Sequence, residues 1–259
     1  MIQSLKEIWN YRDMIGSLVR RELRGKYEKS VLGFLWAFLG PLFQILIYSI
    51  VFTVVFHNSM PNYTMFLMAG MLPWTFFSDS LAQGTSTIIG NSEMVKKIYF
   101  PREVLVISEV LAKMVNMLLS FIVMAVFLIV TGVGFSVQLA ILPLAILIEL
   151  IFTMGLSLIV SALTVYLRDL EYVINVVLMA WIWGTPIMYS IEGIDNAMYL
   201  KLLYINPMTA IINNYQCIFY YHIWPNTTSI VYPLIEGIII LIIGDLIFLK
   251  CKKRFAEEM

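Results

Sequence analysis

The sequence predicts an all-α integral membrane protein with six transmembrane helices, and three observations carry that expectation. The 259-residue chain is 60% hydrophobic and only 13% charged, with a mean hydropathy of +0.85. Its apolar residues fall in long stretches, and about 20 such residues cross the ~30 Å hydrocarbon core as a helix. Every Lys and Arg except Lys201 lies on one side of the ladder those stretches form. A soluble domain of this size cannot hide so much apolar surface. In lipid the backbone must satisfy its own polar groups, which helices do within one segment.

Residues 1–30 carry Lys6, Arg12, Arg20, Arg21, Arg24, Lys26 and Lys29 around Ile8, Trp9, Met14, Ile15, Leu18, Val19 and Leu23. From residue 5 to 27 this reads as an amphipathic interface helix, apolar side to lipid and cations to acidic headgroups. The basic stretch is too long, and small residues too few, for a cleaved signal peptide. The six spans cover residues 34–56, 63–82, 111–130, 139–165, 172–189 and 230–249. The second is the least apolar, with Asp79, Gln83 and several Ser and Thr. The fourth is long enough to tilt. Threading these spans brings Lys96, Lys97, Arg102, Lys113, Arg168, Lys250, Lys252, Lys253 and Arg254 to the side of the N-terminal cations. By the positive-inside rule that side is the cytoplasm, and both termini lie there. The formal net charge is zero, so the distribution carries the information.

Two connections are more than loops, and with them the chain reads as one transmembrane domain over residues 1–259. On the outer side, residues 190–229 hold Asn206-Pro207, an N-cap followed by proline at the first helical position. Met208, Ile211, Ile212, Tyr215, Ile218 and Phe219 follow at helical spacing, and Met198, Leu202 and Leu203 form a shorter apolar face upstream. Neither stretch is long enough to span, so both are expected as short re-entrant or interfacial helices. On the inner side, residues 88–102 read IIGNSEMVKKIYFPR. Asn91 or Ser92 starts a short helix bearing Glu93, Lys96 and Lys97, and Pro101 ends the segment. Ile98, Tyr99 and Phe100 in succession suit a docking surface better than a solvated loop.

Several chemistries have no carrier. The chain has no GxxxxGK[ST] nucleotide loop, no HExxH, no paired CxxC and no GxSxG. His57 and His222 alone make a poor metal site, and Cys217 and Cys251 fall on opposite sides. Among the acids within spans, Glu149 falls nearest mid-membrane and is expected to pack against a polar neighbour. No internal repeat of the kind many secondary transporters carry is visible.

Four blocks in order carry a resemblance: RRELRGKYEKSVLGFLWAFLGP at residues 20–41, KKIYFPREVLVISEVLAK at 96–113, LIVSALTVYLRDLEYVI at 158–174 followed by PIMY at 186–189, and YINPMTAIINNY at 204–215. Together they resemble the membrane subunit of bacterial type-2 ABC exporters of O-antigen, teichoic acid or capsular polysaccharide, over nearly the whole chain. The resemblance implies a plasma-membrane homodimer bound to two copies of a cytoplasmic ABC ATPase, which would carry the ATP and Mg. It implies an undecaprenyl-linked glycan as substrate, and no cofactor or metal on this chain. It matches residues 88–102 to the region that meets the ATPase, so Glu93, Lys96, Lys97, Tyr99, Pro101 and Arg102 are the candidates for transmitting its stroke.

A glycan path needs surfaces on which sugar rings slide, and aromatic rings stack on their C–H faces. Tyr48, Phe52 and Phe56 recur at i, i+4 and i+8 on one face of the first span. Trp181, Trp183 and Tyr189 surround Gly184 and Pro186 in the fifth. Aromatics also pack bundles and form interfacial belts. The competing readings are a type-2 exporter of drugs or lipids, an ATP-independent channel, and a membrane glycosyltransferase. A channel has no use for the basic-aromatic inner segment. A glycosyltransferase has only Glu192 and Asp195 to work with.

Overall fold

The computed structural model describes residues 8–25, 36–55, 57, 60–132, 134–191, 194 and 196–258. All regular elements among them are helical: α1 Arg12–Gly25, α2 Trp36–Ile50, α3 Tyr63–Gly90, α4 Ser92–Lys97, α5 Glu103–Val130, α6 Leu142–Thr164, α7 Leu170–Trp181, α8 Ala197–Ile205, α9 Pro207–Gln216, α10 Thr227–Cys251 and α11 Phe255–Glu258. Wider or tighter turns extend four of them, at Val51–Val55 after α2, Cys217–Tyr221 after α9, Val137–Ile141 before α6 and Lys252–Arg254 after α10.

Among the described residues, three helices are long and apolar enough to cross a membrane: Glu103–Val130, Val137–Thr164 and Thr227–Arg254. The second predicted span, α3, is as long, about 42 Å at 1.5 Å per residue. Its polar content has a structural reason. It is the central helix, and its neighbours bury it along most of its length, including Phe66, Leu67, Met68, Phe77, Ser80, Thr85 and Ile88. A helix wrapped by protein need not match lipid. Small residues seat it against α6: a Cβ on Gly84 would lie 3.6 Å from the Ser157 Cβ. The Ser157 hydroxyl points at the Ser80 carbonyl, 3.5 Å away. Helices α6 and α10 come closer still. A Cβ on Gly155 would stand 2.6 Å from the Leu241 nitrogen, and one on Gly237 3.3 Å from the Phe152 nitrogen. Small residues let backbones approach where lipid offers no hydrophobic drive.

The fifth predicted span departs from expectation. Helix α7 is regular only over Leu170–Trp181, about 18 Å. Residues 182–188 continue as turns, because Gly184 and Pro186 interrupt the helical ladder. Its carbonyls are not stranded. The Asn206 amide donates to Gly184 O at 3.1 Å, Gln216 to Pro186 O at 2.8 Å and the Tyr63 hydroxyl to Met188 O at 2.7 Å. Irregular backbone at membrane depth is tolerated when protein satisfies it in this way.

Helix α1 also differs from the surface helix expected. Leu18 is buried, and Met14 and Ile15 pack beside it in a cluster with Ile88, Val95, Val104 and Phe255. Its apolar side therefore meets protein rather than lipid, while Trp9 stays exposed. That cluster defines one end of the bundle, here the basic end. The two short helices α8 and α9 lie at the far end. Exposed apolar side chains line α2 (Phe43, Leu46, Ile47), α7 (Tyr172, Val176, Met179) and α10 (Ile235, Ile239, Leu246). Such contiguous apolar surface marks contact with lipid or another chain.

Candidate functional site

At the basic end the inner segment folds as a short helix, α4, and an extended return. Asn91 stands at the head of α4 but does not cap it with its side chain. Its amide donates to Thr87 O at 2.8 Å, and its oxygen accepts from Arg21 of α1 at 2.9 Å. Glu93 and Lys97 pair at 2.5 Å across one helical turn, both well exposed, with Lys96 exposed between them. Ile98 ends the helix by turning extended. The three apolar residues that follow α4 then separate: Ile98 and Tyr99 project, Tyr99 at 97% exposure, while Phe100 is buried in the α1 cluster.

Pro101 and Arg102 face inward instead. The Arg102 guanidinium donates to the Lys252 carbonyl and lies 5.7 Å from the centre of the Phe255 ring. Lys252 in turn reaches Glu103 at 2.5 Å. The chain's last turns thus brace the start of α5. A cleft of about 770 Å³ runs between α4, its return strand, Tyr11 and Lys252–Lys253. Of the candidates, Lys96, Lys97 and Tyr99 line its open rim with Glu93 beside them through its pair with Lys97, and Pro101 and Arg102 line it further in. Nearby, Lys113 pairs with Glu109 at 2.8 Å and approaches Glu22 of α1 at 3.8 Å.

The aromatic candidates for a path divide between two attachments to α3. Tyr48 and Phe52 are half-buried on α2 and pack against the core, with the Phe52 ring 5.9 Å from Tyr63. Phe56 lies outside the described residues. Trp181 sits edge-on to Phe77 at 5.3 Å, and its indole donates to the Asn206 oxygen at 3.0 Å. Trp183 is exposed, and the Tyr189 hydroxyl donates to its carbonyl at 3.1 Å and meets Tyr199 at 3.3 Å. Deeper in the bundle the Tyr215 hydroxyl donates to Glu149 at 2.6 Å, the polar neighbour the sequence asks for.

At the far end, Asn206 does more than the cap that Asn-Pro announces. Its oxygen accepts from the Met208 nitrogen at 3.0 Å as expected, and also from Trp181. Its amide reaches both Gly184 O and the Thr185 hydroxyl. Asn196 caps α8 from Met198 and Tyr199. The Tyr220 hydroxyl donates to Pro61 O at 2.7 Å and so ties the far-end helices to the head of α3.

One known family matches the chain over most of its length. Its model, described as ABC-2 type transporter, aligns with residues 14–220. The chain belongs to the ABC-2 type transporter family. It is 35% identical over 260 residues to the O-antigen export system permease protein RfbA of Myxococcus xanthus, covering 100% of both chains. A Klebsiella pneumoniae protein of the same name is 34% identical over 252 residues, covering 95% of this chain and 94% of that one. The polysialic acid transport protein KpsM of Escherichia coli is 24% identical over 205 residues, 76% of this chain and 78% of that one.

In this ABC-2 chain the sequence pointed to the rim but not to what holds it. The Glu103–Lys252 pair joins residues 149 positions apart, and nothing local in either neighbourhood signals the other. The Tyr63, Gln216 and Asn206 side chains that rescue residues 182–188 are equally silent. The one available signal is the Gly184–Pro186 interruption, which leaves carbonyls that something must bond.

Proposed function

We infer that this chain is the transmembrane subunit of an ATP-driven polysaccharide exporter. The observation that carries it is similarity to a named O-antigen export permease along the full length of both chains. Two further relatives name O-antigen and polysialic acid transport. A drug or lipid exporter of the same family is the second reading; no relative named above supports it.

The finer assignments extend this reading by the positive-inside rule and by what the family resemblance implies. Six crossings put the basic end in the cytoplasm of a bacterial plasma membrane, both termini with it, since cations are retained there. The whole of residues 1–259 then acts as one transmembrane domain, with 1–30 and 88–102 inside and 190–229 outside. A separate cytoplasmic ATPase, binding ATP and Mg, docks on the rim bearing Glu93, Lys96, Lys97 and Tyr99. An exposed aromatic beside paired charges suits such an interface. Motion at the rim passes to α5 through Pro101, Arg102 and Glu103. Two copies of this chain and two of the ATPase complete the exporter. The uncovered apolar faces of α2 and α7 supply the contact between copies, and the glycan, linked to its lipid, passes by Tyr48, Phe52, Phe56, Trp181, Trp183 and Tyr189.

Deleting the gene tests the central reading. Glycan still bound to its lipid should accumulate inside the cell and vanish from the surface, and a plasmid copy should restore it. Normal surface glycan in the deletion strain overturns the reading. The purified chain should release phosphate from ATP only with its partner ATPase present.

A further inference from the structure

A second cleft, of about 910 Å³, opens at the far end between α8, α9 and the first turn of α10. Its volume falls within the ~300–1,000 Å³ of small-molecule sites. Two features of its lining define what fits. The first is charge: among the described residues that line it, none is Asp, Glu, Lys, Arg or His. The second is the mixture of ring faces with amides and hydroxyls. Tyr204, Trp224 and Tyr232 contribute rings, and Asn213, Gln216 and Thr209 contribute polar groups. Tyr204 and Trp224 remain 55% and 57% exposed, so their faces are available. Thr209 is buried, and its hydroxyl has no hydrogen-bond partner among the described residues. A buried hydroxyl left unpaired costs free energy that a ligand hydroxyl would recover.

A lipid tail has no use for the amides and hydroxyls. Among the described lining residues an anion or cation meets no counter-charge. A sugar chain uses both features, since its C–H faces stack on rings and its hydroxyls exchange hydrogen bonds with Asn, Gln and Thr. We propose that this cleft binds a short stretch of glycan as it leaves the exporter. The proposal rests on the polysaccharide-export reading and adds a site to it, at the end opposite the ATPase rim. Holding the emerged strand opposes its return between strokes. The wall is built largely by α8 and α9, fixed by the Asn196 and Asn206 caps, and by the head of α10, which Asn214 of α9 holds through Ser229.

The test uses the full complex with its ATPase in lipid nanodiscs. The probe is the organism's surface polysaccharide, freed from lipid by mild acid and trimmed to oligosaccharides. Calorimetric titration should give binding to the wild type. The Kd should rise at least about tenfold for Trp224→Ala and for Tyr204→Ala, equivalent to ~1.4 kcal/mol. Trp224→Phe, which keeps a ring, should retain most of the affinity. Phe135→Ala removes an exposed far-end aromatic outside the cleft and should bind as wild type does. No binding by the wild type, or equal affinity across these variants, overturns the proposal. If the deletion strain fails to export while the titrations are flat, the cleft falls and the export reading stands. If the deletion strain exports normally, both fall together.

Discussion

The two ends of the bundle are held by different chemistry. At the basic end, distant segments are tied by charge: Lys252 to Glu103, Lys113 to Glu22, Arg102 to a carbonyl and a ring, with Glu109 pairing Lys113 from one turn away on α5. At the far end the segments are tied by neutral groups, the Asn206, Gln216 and Asn214 amides and the Tyr63 and Tyr220 hydroxyls. The difference follows from water. An ion keeps part of its hydration where solvent reaches it, and Lys252 is partly exposed. An irregular backbone against lipid needs donors that carry no desolvation penalty of a full charge. The basic end is therefore adjustable by salt and by a charged partner, and the far end is a fixed frame.

The largest expected effect tests the frame. Asn206→Ala removes the α9 cap, the Trp181 contact and both donated bonds, and should lower stability by about 3 kcal/mol. Asn206→Asp keeps the two accepted bonds but sets a carboxylate against Gly184 O, so it should destabilise at least as much. Thermal melting in detergent reads both, and the Asn206→Ala loss should not change with salt. A wild-type midpoint for Asn206→Ala would end the contrast. Next comes Phe52→Ala. A fully buried Phe costs ~3–5 kcal/mol to truncate, and this half-buried ring should cost about 2. Phe52→Tyr should be mild. If Phe52→Ala destabilises strongly while cysteine probes reach neither position 48 nor 52, that face is packing and not a glycan path.

Much of the frame was legible because local rules act within a few residues. Asn206-Pro207 announced α9, and the apolar repeat behind it marked the buried face. The apolar runs gave α6 and α10 to within a few residues and the far end of α5, but α5 starts at Glu103, eight residues before the expected span, because its first turns carry Glu103 and Glu109 and do not read as apolar. Two features escaped for one reason. The polar content of α3 reads as a weak span, yet the helix is central, and burial by neighbours is not written in its own periodicity. The full-length fifth span failed because hydropathy does not register hydrogen bonds; Gly184 and Pro186 did. At the candidate docking segment, composition marked the rim residues correctly as a surface. It grouped Arg102 and Phe100 with them, although both turn inward onto partners supplied from elsewhere in the chain.

The third effect separates the ends directly. Glu103→Gln keeps the shape of the side chain but removes the ion pair with Lys252, and should cost about 1–2 kcal/mol at low salt. The gap from wild type should narrow as salt rises, whereas the Asn206→Ala gap should not. Equal salt response in the two variants would show that the ends do not differ in kind.

The smallest effect on stability should accompany a large one on transport. Lys97 pairs with Glu93 in the open, and an exposed pair of this kind contributes at most ~1 kcal/mol. Lys97→Glu should therefore shift the melting midpoint little. If the rim docks the ATPase, the same change places a like charge beside Glu93 and alters the surface the partner meets. Export and transporter-stimulated phosphate release should fall together, with the chain still inserted at normal levels. Tyr99→Ala should act likewise, because its ring is almost wholly exposed and supports nothing within the chain. The pairing of unchanged melting with lost coupling distinguishes a contact surface from a structural brace. Arg102→Glu should instead lower both, since it breaks the hold on Lys252 and Phe255. Wild-type export by Lys97→Glu and Tyr99→Ala at matched expression would remove the rim from the coupling path and leave only the brace.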